Sequence, residues 1–228
     1  MSILSPAIFD SLPYLFLGIF TTLGLVILAL GLGLLMGIPM ALIQVYGPRP
    51  LEYCVRTYIW IFRGLPILVL LFLFYFGIFP ILAPDVAAFW IAAVVLGFRT
   101  AAYQSEIFRG AILSISEGQM LAARSLGMSR FCAIRTVILP QALRRALPGW
   151  TNEYPILLTD SSVCYAIGVA ELLTRGNQIV SRIGDPMMVY VIVAILFILL
   201  NYGGQWIFGR IEYRYKIPGY GQGDAYDA

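Results

Sequence analysis

Uncharged apolar stretches longer than a soluble core requires run through this chain and leave it few ways to fold. Residues Leu12 to Val45 carry no charge and, Gln44 aside, are apolar, Gly or Thr. A membrane-spanning helix needs about 20 such residues, so this block can cross a bilayer with tilt or protrusion. Ile59 to Leu82 is a second block, interrupted by Arg63-Gly64 and Pro66, and Val86 to Ile112 is a third, containing Arg99 and Glu106. Leu147 to Leu173 is a weaker fourth, broken by Pro155 and Asp160-Ser161-Ser162, and Met187 to Ile211 is a clear fifth. Only 12% of the 228 residues are charged, against about 25% in a soluble domain. The expectation is an all-α membrane protein with five transmembrane helices, forming one domain over residues 1–216. The run from 217 to 228, rich in Gly, Tyr and Asp, reads as a disordered tail. No basic residue precedes the first block, which is also too long for a cleavable signal.

Orientation follows from Lys and Arg. Residues 1–11 and the loop around Pro80 to Asp85 have none. The first loop region has Arg49, Arg56 and Arg63, and the central loop has Arg109, Arg124, Arg130, Arg135, Arg144 and Arg145. The fourth loop carries Arg175 and Arg182, and Arg210, Arg214 and Lys216 close the chain. Basic residues in the first and third loops and the tail, with none in residues 1–11 or the second loop, place the N-terminus outside and the C-terminus in the cytoplasm for an odd number of spans. The central loop, about 113–146, is then cytoplasmic.

Several chemistries are excluded. The chain has no His, so no His general base or His metal site exists. Cys54, Cys132 and Cys164 form no CxxC pair and read as buried or cytosolic thiols. The one Lys, Lys216, is followed by Ile217, so no GxxxxGK[ST] phosphate loop is present. No catalytic or metal site, no cofactor and no nucleic-acid surface is expected. If transport is ATP-driven, another polypeptide is the motor.

The central loop has two readings. One is a solvated amphipathic connection whose arginines obey the positive-inside rule. The other is a short helix, Glu117 to Ser125, that docks into a groove on a partner protein. Ala122 and Ala123 would allow close approach, and Gly127 would end the helix with a positive φ. Arg124, Arg130 and Arg135 would pair with acidic groups on the partner.

Charges inside the bilayer cost about 2.5–3.5 kcal/mol each on insertion scales and therefore need partners or water. Arg99, Tyr103 and Glu106 are spaced i, i+4, i+7 and share one helix face. Glu153 and Asp160 share a face only if the helix survives Pro155. One reading is an ion pair, Arg99 with Glu153 or Asp160, that only locks helices together. The other is a midplane site, with carboxylates for an amino or guanidinium group and Arg99 for a carboxylate, built at a helix break near Pro155 or Asp160-Ser161-Ser162. Arg63 reads as a headgroup anchor or helix cap. Phe72, Phe74, Tyr75, Phe76 and Phe79 read as an interfacial belt, and Gly24, Gly31, Gly33 and Gly37 as sites of close helix contact.

Four motifs in order resemble those of the polar amino acid branch of the ABC importer permeases. Gly118-Gln119-x-Leu121-Ala122-Ala123, then Gly127 and Ile138-x-Pro140, resembles the EAA motif; Phe62-Arg63-Gly64-Leu65-Pro66 resembles FRGTP. Ala101-Ala102-Tyr103-x-x-Glu106-Ile107-Phe108-Arg109-Gly110 and Asn152-Glu153 with Asp160-Ser161-Ser162 resemble two further segments of that branch. Leu121 stands where the motif has Glu, Leu65 where FRGTP has Thr, Leu70 where Gln is frequent and Arg99 where Asn is common. The resemblance implies a bacterial or archaeal inner-membrane permease subunit that moves a polar amino acid or derivative by alternating access. Its implied partners are membrane lipid, two cytosolic ABC ATPases that bind ATP and Mg, a second permease, identical or homologous, and an extracytoplasmic binding protein. It implies ATPase coupling through Glu117, Gly118, Leu121, Ala122, Ala123, Arg124, Gly127 and Pro140, and favours Glu153 and Asp160, with Arg99, Tyr103 and Ser161, as substrate contacts. The rival is an ATP-independent secondary transporter or channel subunit.

Overall fold

A computed structural model of the protein describes residues 6–215, so the tail expected at 217–228 lies outside the described residues. Among these residues every regular element is a helix. The chain opens with α1 (Pro6–Tyr46), then α2 (Arg49–Gly64), α3 (Ile67–Phe72) and α4 (Phe79–Leu82). The rod α5 (Ala88–Leu113) leads to the short α6 (Glu117–Ser125), followed by α7 (Arg130–Ala133), α8 (Leu139–Thr151) and α9 (Glu153–Ser161). A 3-10 turn, Ser162–Ile167, precedes α10 (Leu172–Ile183), and α11 is Pro186–Tyr215.

The second block is not one straight span. Pro66 forces the preceding Leu65 out of the helical region, to φ −94° and ψ 139°. The chain therefore turns by 108° between Arg49–Gly64 and Ile67–Leu82. The fourth block also differs from expectation. Pro155 is the third residue of α9, where first-turn N–H groups lack intrahelical acceptors, so the missing donor costs nothing. The helix survives it, and the bend comes later, 51° between Glu153–Ile167 and Leu172–Ile183. Asp160-Ser161-Ser162 is a tightening into the 3-10 turn, not a break.

Two wide π-helical turns, Leu73–Ile78 and Ile134–Ile138, each stand just before a proline, Pro80 and Pro140. A mid-helix proline removes an i→i−4 bond and its ring strikes the carbonyl four residues back. Widening the turn relieves this. Phe79 N–H donates to the Phe74 carbonyl and Leu139 N–H to that of Ile134, five residues back in both cases.

Two helices, Phe9–Tyr46 and Pro186–Tyr215, are long and apolar enough to cross a membrane, and up to four spans result if each bent pair is one. α5 has the length, 26 residues, but is not in that set. The apolar core nevertheless forms around it: Val95 and Leu96 are fully buried with Leu25, Val26 and Ala29 of α1 and with Leu157 of α9. Small residues permit the α1–α5 contact. A Cβ on Gly37 would lie 3.1 Å from Gln104 Cβ and 3.2 Å from the Ser105 backbone nitrogen, whereas Gly31 has nothing within 4 Å and is not a contact glycine. The outer surfaces are themselves apolar: Phe20, Ile27 and Leu35 of α1 and Ile195, Leu199 and Trp206 of α11 are half exposed or more, as in a helix facing hydrocarbon. The expected aromatic belt divides. Phe74 packs inward against Phe62, Phe79 and Phe98, while Phe72 and Phe76 face outward.

Candidate functional site

α5 and α9 bring the intramembrane charges together. Arg99 pairs with Asp160, both side chains less than a fifth exposed. Glu153, 6% exposed, does not pair with Arg99 and instead accepts a 2.9 Å hydrogen bond from the Thr100 hydroxyl. Because α9 continues from Glu153 to Ser161, its two carboxylates lie two turns apart on one face, roughly 10 Å along the axis. Tyr103 lies one turn along α5 from Arg99. The guanidinium of Arg99 sits 5.0 Å from its ring centroid and that of Arg63 4.9 Å. Ser161 departs from the expected set, since it is fully buried and donates to the Leu158 carbonyl at 2.7 Å. Glu106 pairs with Arg109 on its own helix at 2.7 Å. Tyr103 and Glu106 line a cavity of about 580 Å³ between α1, α2 and α5.

Sequence reasoning missed the residues that hold Glu153 in place. Thr100 is buried beside it, and Gln104, fully buried, donates to Thr100 Oγ1 and to the Leu30 carbonyl, both at 3.4 Å. Trp150 Nε1 at the end of α8 donates to Gln104 Oε1 at 3.0 Å. Polar residues at four-residue spacing on an otherwise apolar helix were the available signal for Thr100 and Gln104. Nothing local marked Trp150.

The central loop forms a ledge. Ser116 caps α6 by accepting from Gly118 N–H at 3.3 Å. Gly127 ends it at φ +84°, with Met128 N–H donating to the Ala123 carbonyl and Gly127 N–H to that of Arg124, a Schellman closure that requires the left-handed residue. Ala123 is buried, while Glu117, Gly118, Ala122 and Arg124 are exposed. Leu121, Leu126 and Phe131 are 70%, 84% and 72% exposed and make an apolar patch on the ledge. Pro140 is exposed at the start of α8. The arginines are partly engaged within the chain: Arg124 Nη1 donates to the Met128 carbonyl at 3.0 Å and Arg130 lies 5.4 Å from the Tyr46 ring. Arg145 Nη1 donates to the Ser114 carbonyl at 2.5 Å, tying α8 to the end of α5.

The family described as the binding-protein-dependent transport system inner membrane component matches residues 29–217. The chain belongs to that family. Among relatives of this permease is the glutamine transport system permease of Escherichia coli (strain K12), 35% identical over 213 residues, covering 92% of this chain and 97% of that one. The octopine transport system permease of Rhizobium meliloti is 32% identical over 204 residues, covering 86% and 83%. A solved amino acid ABC transporter, crystallised with histidines, superposes on this permease with a TM-score of 0.84 at 32% identity, over 94% of this chain and all of that one. The methionine transporter MetNI, inward facing, shares the fold at a TM-score of 0.80 and 24% identity. The protein is thus a permease subunit and not an enzyme.

Proposed function

We propose that this permease is the membrane subunit of an ATP-driven importer that carries a polar amino acid, or a close derivative, inward across a bacterial or archaeal cytoplasmic membrane. One observation supports this above the others. Arg99 pairs with Asp160, and Glu153 lies two turns away on the same face of α9, within the core of a family member, and its relatives are named for glutamine and octopine transport. Substrates of that kind carry both charges. The carboxylates of Glu153 and Asp160 suit an ammonium or guanidinium group, Arg99 suits a carboxylate, and Tyr103 holds the Arg99 guanidinium beside them.

Five spans are proposed, with the N-terminus outside and the C-terminus cytoplasmic. α5 is the most enclosed of them and tolerates its charges because neighbouring helices cover them. The exposed face of α6 is the surface for one of two cytosolic ATPases, which bind ATP and Mg. Leu121, with Leu126 and Phe131, makes that contact apolar where an acidic residue would have made it polar. A second permease and an extracytoplasmic binding protein complete the assembly. Closure of the ATPases draws the two ledges together and turns the central cleft outward.

The test is reconstitution of the permease with its ATPase in liposomes. Loaded binding protein is expected to stimulate ATP hydrolysis and substrate uptake together. Uptake that proceeds equally well without ATP would sink the proposal.

A further inference from the structure

The 580 Å³ cavity is not used by the Arg99–Asp160 pair. It is lined by Gln44, Arg56, Arg63, Glu106 and Arg109, with Trp60 and Tyr103 as aromatic walls. Three guanidinium groups against one carboxylate leave it positive. Two of the three are neutralised, Arg56 by Glu52 and Arg109 by Glu106, each at 2.7 Å. Arg63 has no carboxylate within ion-pair distance among the described residues, and its guanidinium rests over the Tyr103 ring. The Gln44 amide nitrogen at the same cavity is buried without a well-formed hydrogen bond, with the Glu106 carboxylate as its nearby acceptor. A fork of cationic donors, an amide without a well-formed hydrogen bond and two aromatic walls in one concavity fit a small anion with a planar head, above all a carboxylate.

A lipid phosphate would offer similar chemistry at the membrane surface. Arg63, however, rests 4.9 Å from the centroid of the same Tyr103 ring that Arg99 of the intramembrane pair approaches at 5.0 Å. It therefore stands between the cavity and the intramembrane charges, joined to Arg99 through the shared Tyr103 ring. That position favours a solute on its way through.

We propose that this cavity is a second carboxylate site, an exit station in which Arg63 and Gln44 receive the substrate's carboxylate after it leaves Arg99. The proposal rests on the importer reading above. In that frame Arg63 lowers the barrier between the core and the cytosol by offering the anion a partner before water does.

The experiment uses the permease–ATPase complex in phosphatidylcholine nanodiscs without nucleotide. A reporter thiol is introduced by Gly64→Cys, which lines the cavity and meets no atom within 4 Å, with Cys54→Ser and Cys132→Ser to silence the less buried thiols. Anionic sulfonatoethyl and cationic trimethylammonioethyl thiosulfonates are compared, each corrected for its rate with a free thiol. The anionic reagent is expected to label about tenfold faster, in line with steering by a positive cleft, and Arg63→Gln is expected to abolish the preference. Equal rates, or a preference that survives Arg63→Gln, overturn the proposal. L-glutamine, L-arginine and octopine at millimolar concentration are then tried as protectants beside L-glutaminamide, which lacks the carboxylate. Protection by at least one of the three and not by the amide supports the site; protection by none, or equally by the amide, overturns it. Protection by phosphatidylglycerol in the disc but not by the solutes assigns the site to lipid and overturns it too. ATP-driven uptake in the same preparation is scored separately. Its failure with the labelling and protection intact would remove the importer reading and leave the carboxylate site standing.

Discussion

Removing one member of the Arg99–Asp160 pair is expected to do something different from removing both. Asp160→Leu leaves a guanidinium whose Nε already lacks a hydrogen-bond partner, with side chains only 18% and 17% exposed in the intact pair. Stranding a buried charge costs about 3–5 kcal/mol. The residual exposure argues for the low end, about 3 kcal/mol, or roughly 150-fold in the folded population. For a chain of this size that corresponds to a fall of about 6–12 °C in melting temperature. Arg99→Leu with Asp160→Leu removes both charges and fills the space with apolar atoms, a change that is near neutral for buried pairs. The cycle is read by thermal unfolding of the purified complex and by uptake. A pure strut predicts a stable double variant that transports normally. A substrate site predicts a stable double variant that transports nothing. If Asp160→Leu melts no lower than the double variant, the stranded-charge reasoning is wrong; if the double variant transports at the wild-type rate, the site assignment is wrong.

Other substitutions probe the ledge, the caps and the packing. Gly127→Val meets no neighbour within 4 Å but must hold φ +84°, costing about 1–2 kcal/mol at the end of α6; complex yield should persist while binding-protein stimulation of ATP hydrolysis falls, and unaltered stimulation would refute the docking role. Glu171, fully buried, accepts from Leu173 N–H at 2.8 Å and Thr174 N–H at 2.6 Å; Glu171→Ala should cost about 2 kcal/mol in thermal unfolding, and an unchanged melting temperature would deny the cap. Gly18→Ala would put a Cβ 2.7 Å from Leu172 Cα, while Gly31→Ala meets nothing within 4 Å; only the first should lower the melting temperature, by an overpacking cost of about 1–3 kcal/mol. Trp150→Phe keeps the ring but loses the bond to Gln104, and is expected to leave assembly intact while lowering uptake relative to ATP hydrolysis; a proportional loss of both would count against it.

What the residues declared in advance was local. Long apolar blocks announced α1 and α11, and the Ser116-to-Gly127 signals placed α6 with its end at a glycine. The i, i+4, i+7 spacing put Arg99, Tyr103 and Glu106 on one face; Tyr103 and Glu106 line one cavity, whereas Arg99 lies outside that lining and stacks on the Tyr103 ring. What stayed hidden was long-range or directional. Gly64-Leu65-Pro66 announces a stop but not a turn of 108°. Arg99 had two carboxylates in reach, and the choice of Asp160 depends on how α5 crosses α9. Pro155 looked like a break because a proline's effect depends on its place in the helix, and the start of α9 at Glu153 cannot be read from an Asn-Glu pair lying amid a longer hydrophobic run. That Ser161 is fully buried, with its hydroxyl on the Leu158 carbonyl, depends on how α9 packs in the core.

The route by which a docked partner would act on the charged core is short. α7, the wide turn before Pro140, and α8 form one continuous helical path from the ledge to Trp150. From there hydrogen bonds run through Gln104 and Thr100 to Glu153. A proline within a rod normally weakens it, yet here the five-residue bond from Leu139 to Ile134 restores a backbone contact across the defect. The rod can then flex at that turn without losing all its bonds, while its far end is held by Trp150 and its flank by Arg145 on Ser114. Glu153 is the group most exposed to such a displacement. Its buried carboxylate accepts from Thr100 at 2.9 Å, so a shift of about an ångström would lengthen that bond beyond useful geometry. On the proposed role of Glu153 as a substrate contact, a carboxylate released in this way would bind a cationic group and one recaptured by Thr100 would give it up, and motion of the ledge would then become transport.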